Sequence, residues 1–376
     1  MLQKLLPLCL LSAAFACGQQ SGPPPGVPIA PPNPDTPPPP QESATAPSDA
    51  TPQPVPAPAA SPLQLTADDR NQVIDAVAAR LKSSYILPEM AQQLVASLQA
   101  HRQQGDYESI TDGAILAYRL TADLQAISRD RHLRVEYSAA KLPREEGGPS
   151  AAEEEQYRHE LARTNCGFQR VEILPGNIGY IQLNFFGAAD VCGATAATAI
   201  KFIAQTDAVI FDLRQNHGGD PGMVALLASY LFDRPTHLDD LYNRRENKTT
   251  QYWATPEKVA DRLTSQPVYV LTSRMSYSGA EQFCYDLRNL RRAILIGERT
   301  GGAAHPTRNH RINDHFLIAT PEYRYINAVT RTDWEGEGVT PDVPAAPWNA
   351  LIAAEKIALT RLRRPNVQTL PTTAMR

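Results

Sequence analysis

The tightest constraint on this 376-residue chain is an alternation of apolar strands and helices that begins near Cys166. GYIQLNFF (179–186) reads as a strand, Ala188 to Ala204 as a helix, and AVIFDLR (208–214) as an apolar strand running into QNHGGD. Pro221 to Phe232 reads as a helix, PVYVLTS (267–273) as a strand, Ser278 to Leu290 as a helix, and AILIGE (293–298) as a strand running into RTGGAAHP. Strands joined through helices need crossover connections, so the sheet should be largely parallel, with functional loops at the C-terminal ends of its strands. QNHGGD, SRMSYSGAE and ERTGGAAHP are three such loops.

Before this region the periodicity is helical. Thr66-Ala-Asp-Asp69 has the form of a capping box, followed by Val73, Ile74, Val77, Ala78 and Leu81 at helical spacing. A second helix follows Pro88 and a third runs to Ser128, giving a helical domain at 63–143. Residues 144–165, acidic and with one short helix, read as a connection to a main domain at 166–362 and a tail at 363–376.

The first 62 residues have a different composition. Lys4, the apolar run Leu5 to Phe15 and the small-residue end Ala14-Phe15-Ala16 make residues 1–16 an export signal. That run is too short to span a bilayer, for which about 20 residues are needed. Cys17 follows, and SAAFAC resembles a bacterial lipobox, whose cysteine is lipidated; Ala-Phe-Ala also suits an ordinary signal peptidase. Seventeen of the 33 prolines lie between Pro23 and Pro62, so residues 17–62 read as a disordered, extended spacer. An exported, lipid-anchored protein of the periplasm or cell envelope is therefore expected, with the membrane as a partner through Cys17.

Thirty-six Lys and Arg against 40 Asp and Glu, without a basic block, give no basis for nucleic-acid binding. In an exported chain Cys166 and Cys192 form either a disulfide or a free buried pair, and Cys284, in the apolar stretch EQFCYDL, belongs to the core. Neither a Cys-x-x-Cys pair nor a His/Cys cluster points to a metal, and no cofactor is expected. Nothing in the sequence sets an oligomeric state.

Two loops carry chemistry. A serine between a buried strand and a helix, as Ser278 is, lies near free backbone N–H groups and the positive end of the helix dipole; it is either a nucleophile or a plain N-cap. It is not in a GxSxG elbow, since Ser276 stands where the first glycine would be. Gly218-Gly219 after the apolar strand suits either an oxyanion hole or a tight turn.

Together these loops resemble the C-terminal processing (tail-specific) serine peptidases, in the branch with the tricorn core protease and the interphotoreceptor retinoid-binding protein. The resemblance rests on DRHLRV (130–135), GNIGYIQLNFF (176–186), TDAVIFDLRQNHGGDP (206–221), LTSRMSYSGAEQFCYDL (271–287), LIGERTGGAAHP (295–306) and WEGEGVTPDV (334–343). It implies a crotonase-like (ClpP/crotonase) α/β core after the helical bundle. Residues 144–165 are too few for the PDZ domain of many relatives. The family's Ser–Lys dyad is excluded, because the only lysine after Ser278 is Lys356. The tricorn solution fits: His132 as base and Glu335 as its partner, with Glu337 as second choice. Arg131 stands where tricorn has a serine. The backbone N–H of Gly279 and that of Gly218 or Gly219 are the oxyanion donors. His217 lines the pocket as an alternative base, while His305, Asp212, Arg214 and Glu281 support the loops. His101, His159, His237, His310 and His315 are expected at the surface.

The resemblance thus implies a serine endopeptidase hydrolysing polypeptides by a Ser-His-Glu mechanism. The alternative is a non-catalytic envelope protein that holds a hydrophobic ligand or another protein on the same fold. A crotonase-type acyl-CoA enzyme fits poorly, since it would leave Ser278 without a role.

Overall fold

A computed structural model describes residues 64–142 and 150–363. The export signal, Cys17, the proline-rich spacer and the tail beyond residue 363 lie outside the described residues. Among the described residues no helix is long and apolar enough to cross a membrane.

Three helices come first: α1 (Ala67–Ser84), α2 (Pro88–Gln103) and α3 (Gly113–Ser128). The capping box at Thr66 is present, with Asp69 N–H on the Thr66 hydroxyl and Thr66 N–H on the Asp69 carboxylate. Asp112 caps α3 by accepting from Ala114 and Ile115. At its other end α3 stops at Arg129 in the left-handed conformation (φ 56°), which turns the chain toward His132 and β1 (Arg134–Tyr137).

The short helix expected in the connection is α4 (Ala151–Arg163), opened by a capping box at Ser150. The alternating region follows as β2 (Phe168–Leu174), β3 (Ile178–Leu183), α5 (Ala189–Ile203), β4 (Ala208–Asp212) and α6 (Pro221–Ser229). Next come the hairpin β5 (Thr236–Asn243) and β6 (Lys248–Ala254), then β7 (Val268–Thr272), α7 (Gly279–Asn289) and β8 (Ala293–Gly297). The chain closes with β9 (Thr307–Arg311), β10 (Phe316–Pro321), β11 (Tyr323–Asn327), β12 (Val343–Pro344) and α8 (Pro347–Leu362).

The central sheet has the order β12-β8-β7-β4-β3-β2, and all its pairings are parallel except the antiparallel β2 edge. Its two faces sort the sequence with a period of two. Ile181, Leu183, Val209, Phe211, Val268, Val270 and Leu295 pack with α5, α6 and α7. Tyr180, Ala208, Ile210, Tyr269, Leu271 and Ile296 face Ala350, Ala354 and Ala358 of α8 instead. Burial on both sides explains why these strands read as continuous apolar runs. The strands end slightly earlier than the apolar runs suggest: β3 stops at Leu183, since Asn184 to Phe186 leave the sheet to bond the glycine loop.

The helical region does not close its own core. Leu133, Val135 and the α1–α3 side chains share one cluster with Phe316 and Ile318, because β1 pairs antiparallel with β10. Periodicity within the first segment could not show this, since Phe316 and Ile318 come from a strand nearly two hundred positions later.

Cys166 and Cys192 are joined by a disulfide that ties the start of β2 to α5. Cys284 is buried in the core face of α7. Replacing both bonded cysteines by serine should lower unfolding stability by about 3 kcal/mol, the loop-entropy value for a closure of this size. Urea denaturation checks this, and an unchanged midpoint would contradict it.

Candidate active site

β4, β7 and β8 are neighbours in the sheet and parallel, so the loops leaving their C-terminal ends meet along one edge. Asn216 organises the first loop. Its Nδ2 donates to Leu183 O at 2.8 Å, its Oδ1 accepts from Gly218 N–H at 2.8 Å, and its carbonyl accepts from Tyr277 N–H at 3.0 Å. Both glycines need positive φ, +98° at Gly218 and +135° at Gly219. A β-carbon at Gly218 would lie 2.8 Å from that of Ser278, so the bare backbone is what lets the two loops touch.

The Gly218 N–H is already used by Asn216. Of the two glycines it is therefore Gly219 whose N–H is available, and no hydrogen bond among the described residues uses that of Gly219 or Gly279. A β-carbon on Gly279 would sit 3.1 Å from Gly219 N, so the two amides flank one small space. Ser278, immediately before α7, has φ 53° and ψ −116°. For a non-glycine residue this is a strained geometry of the kind that concentrates at functional sites. Ser276, where an elbow would have glycine, is instead buried and bonded to Leu213 O and Ser273 N.

Glu281 holds this turn. Its buried carboxylate accepts from Ser278 N–H (2.9 Å), the Thr300 hydroxyl (2.5 Å), Gly302 N–H (2.7 Å) and Ala303 N–H (2.9 Å). Burial pushes the carboxyl up to about 7, against the downward pull of those donors. Asp212 similarly pairs with Arg214 and accepts from the Tyr180 hydroxyl.

A second group sits beside Tyr277. The half-buried His132 ring meets the Tyr277 ring edge-on at 5.0 Å, and the Arg131 guanidinium lies 5.6 Å from the same ring. Buried Asp130 accepts from His132 N–H at 3.0 Å and from the Tyr85 hydroxyl at 3.1 Å. Glu335 accepts from Ala304 N–H (2.5 Å) and His305 N–H (3.0 Å) through Oε2. Asp130, His132 and Glu335 each bring one ligand atom within 4.8 Å of the others, whereas Glu337 is exposed. No hydrogen bond among the described residues joins His132 to Ser278. The contact that His132 makes on this side is with Tyr277, the residue before Ser278.

His305 is more embedded than a loop support needs to be. It is 3% exposed, with Nδ1 3.4 Å from Asp130 and 3.7 Å from Glu335, and Nε2 3.8 Å from Asp333. Burial alone would push its imidazole down, but the carboxylates outweigh it and lift it to about 10. Burial and the Asp130 charge raise Glu335 to about 8. Asp333 stays near 2 despite burial, held by His305, Glu335 N–H and Arg324. His132 goes the other way: burial pushes its imidazole down to about 4. Asp130 and Asp333 were not among the residues singled out in the sequence. The Asp-x-His spacing of 130 and 132 was the available signal for the first.

Other histidines need correction. Of the five expected at the surface only His159 is exposed. His310 is buried with Nε2 2.5 Å from Glu322, because it lies on β9, a strand hidden in polar sequence. His101, His237 and His315 are half-buried, the first two beside Asp106 and Asp240 and the third at the Ser138 carbonyl. His217 is exposed beside the glycine loop, its N–H on Asn184 O.

A crotonase-like core and a serine at a strained strand-to-helix turn define a class of α/β peptidase folds. Comparison with known proteins narrows it. The model of Peptidase family S41 matches residues 177–345, and that of the N-terminal domain of Peptidase S41 in eukaryotic IRBP matches residues 59–175. The chain belongs to the S41 peptidase family, whose members are serine peptidases. It is 28% identical over 185 residues to carboxyl-terminal-processing peptidase 2 of Arabidopsis thaliana chloroplasts, a match of 46% of this chain and 33% of that relative, so it spans about a third of the relative's length. A solved Parabacteroides merdae protein is similar with TM-score 0.54 at 16% identity, covering 78% of this chain and 97% of the other. A Streptococcus agalactiae lipoprotein gives 0.51 at 14%, covering 79% and 98%. At these identities the structural likeness concerns the fold.

Glu281→Ala leaves four donors without their acceptor and should cost at least about 3 kcal/mol, read from the shift in thermal or urea unfolding. The carboxylate pocket predicts a pH dependence. From its ordinary 6.5 up to about 10, folded His305 keeps a proton that the unfolded chain has lost, and Glu335 does the same from 4.5 to about 8. Both make stability fall as pH rises. The urea midpoint should decline between pH 6.5 and 10, and a midpoint that rises across that window would contradict a charged His305.

Proposed function

We propose that this chain is an exported serine endopeptidase that cleaves polypeptides with Ser278 as nucleophile, His132 as general base and Glu335 supporting His132. The observation that carries the reading is the placing of strained Ser278 beside two unspent amides, with His132 against the adjacent Tyr277. A plain N-cap serine needs none of these features.

Ser278 Oγ attacks the scissile carbonyl carbon while neutral His132 removes its proton. The carbonyl oxygen becomes an oxyanion facing the N–H groups of Gly219 and Gly279, which are fixed in advance and need no reorganisation. The imidazolium then protonates the leaving amine, and water repeats the sequence on the acyl-enzyme. The imidazolium charge is stabilised by Asp130, which lies within 4.8 Å and favours the charged ring. A depressed His132 keeps the base neutral at physiological pH. A hydrogen bond to the serine that forms only with substrate bound agrees with the behaviour of many free active sites.

The Cys166–Cys192 disulfide supports export, since such bonds persist in oxidising compartments. With the leader and Cys17 it favours an envelope protein, anchored by lipid at Cys17 and held off its membrane by the spacer at 17–62.

A fluorophosphonate probe should label the wild type and not Ser278→Ala. His132→Ala should lower turnover of an unstructured polypeptide by about 10²–10⁴-fold with an unchanged circular dichroism spectrum, while His217→Ala retains activity. Absence of labelling in folded protein would favour the non-catalytic binding protein on this fold, and loss of activity in His217→Ala alone would move the base.

A further inference from the structure

Several buried polar atoms around His132 have no hydrogen-bond partner: His132 Nδ1, Glu335 Oε1 and both ring nitrogens of His305. Native proteins seldom leave such atoms unmatched, and a site that gathers several is built for a further ligand or for water. Here they lie where Asp130, His132 and Glu335 bring ligand atoms within 4.8 Å of one another. We propose that Asp130, His132 and Glu335 form an inhibitory site for a zinc-class divalent cation, which on binding withdraws His132 from Ser278.

The donor set suits that class of ion. One imidazole nitrogen and two carboxylates match a borderline transition metal, whereas magnesium and calcium prefer all-oxygen sets. The charge also suits it. Arg324 matches Asp333 with an Nε–Oδ2 distance of 2.8 Å, whereas among the described residues Asp130 and Glu335 have only His305 nearby as a basic ion-pair partner. Each Asp130 oxygen accepts one hydrogen bond, from His132 N–H or the Tyr85 hydroxyl, and keeps a lone pair. Access is through the half-buried His132 side, beside exposed Arg131. The inhibitory part rests on the Ser278–His132 reading: a lone pair given to a metal cannot accept the serine proton.

The test uses folded, chelator-treated protein. Zinc titrated calorimetrically should bind at one site, and cobalt should give a visible absorption band. Asp130→Asn and Glu335→Gln should each weaken binding by about tenfold or more, while Ser278→Ala binds like wild type. If either variant misfolds, His132→Gln on the half-buried side serves in its place. Fluorophosphonate labelling should be suppressed by zinc and restored by chelator. Absence of saturable zinc uptake, or uptake unchanged in folded Asp130→Asn, Glu335→Gln and His132→Gln, overturns the site. Labelling that persists under saturating zinc overturns the inhibition. Zinc uptake in a protein that no probe labels leaves the site standing while the peptidase reading fails.

Discussion

The buried Glu281 carboxylate is the interaction on which the rest of the site depends. It fixes Ser278 by its N–H and, with its other bonds, fixes Thr300, Gly302 and Ala303. That second segment runs directly into Ala304 and His305, whose amides position Glu335. One side chain on the first turn of α7 thus sets both the Ser278 backbone and the loop whose amides hold Glu335. Burying a carboxylate is expensive unless donors surround it. Here the four donors come from two different loops, so the cost of burial is offset only when both are in place.

The pocket around His305 shows a different balance. Asp130, Asp333 and Glu335 crowd one imidazole, and the resulting shifts move Glu335 up and Asp333 down although the two are only two residues apart. The difference follows from the partners. Asp333 has Arg324 and a backbone amide, whereas one Glu335 oxygen faces the pocket without a donor. An arrangement with so much unspent polarity stabilises the fold poorly and suits a place where charge appears during a reaction.

Much of this was readable in the amino-acid sequence, for identifiable reasons. The strands of the central sheet are apolar on both faces, so β4, β7 and β8 stood out as uninterrupted runs, and the loops after them could be named. The choice between Gly218 and Gly219 could not be made there, because it depends on Asn216 turning its amide back onto one of them. The antiparallel strands β9, β10 and β11 were missed. Their sequences are polar or mixed, and β10 and β11 also pair far away, with β1 and β5. His310 was misplaced for the same reason, and Asp130 passed unnoticed because its role comes from Tyr85 and His305, neither of them near it in sequence.

The sharing of one core between the helical region and β10 carries a consequence for the order in which the molecule becomes whole. Ser278 and its glycine amides belong to the parallel-sheet half, while His132 arrives on the turn between α3 and β1, which is secured by pairing with β10 late in the chain. A chain emerging from its N-terminus thus carries His132 long before Ser278 is made, and cannot fix its turn until Phe316 and Ile318 have closed over the helices. Assembly of this region is thereby tied to completion of the polypeptide, so a chain truncated before β10 would hold Ser278 and His132 without the packing that fixes the second.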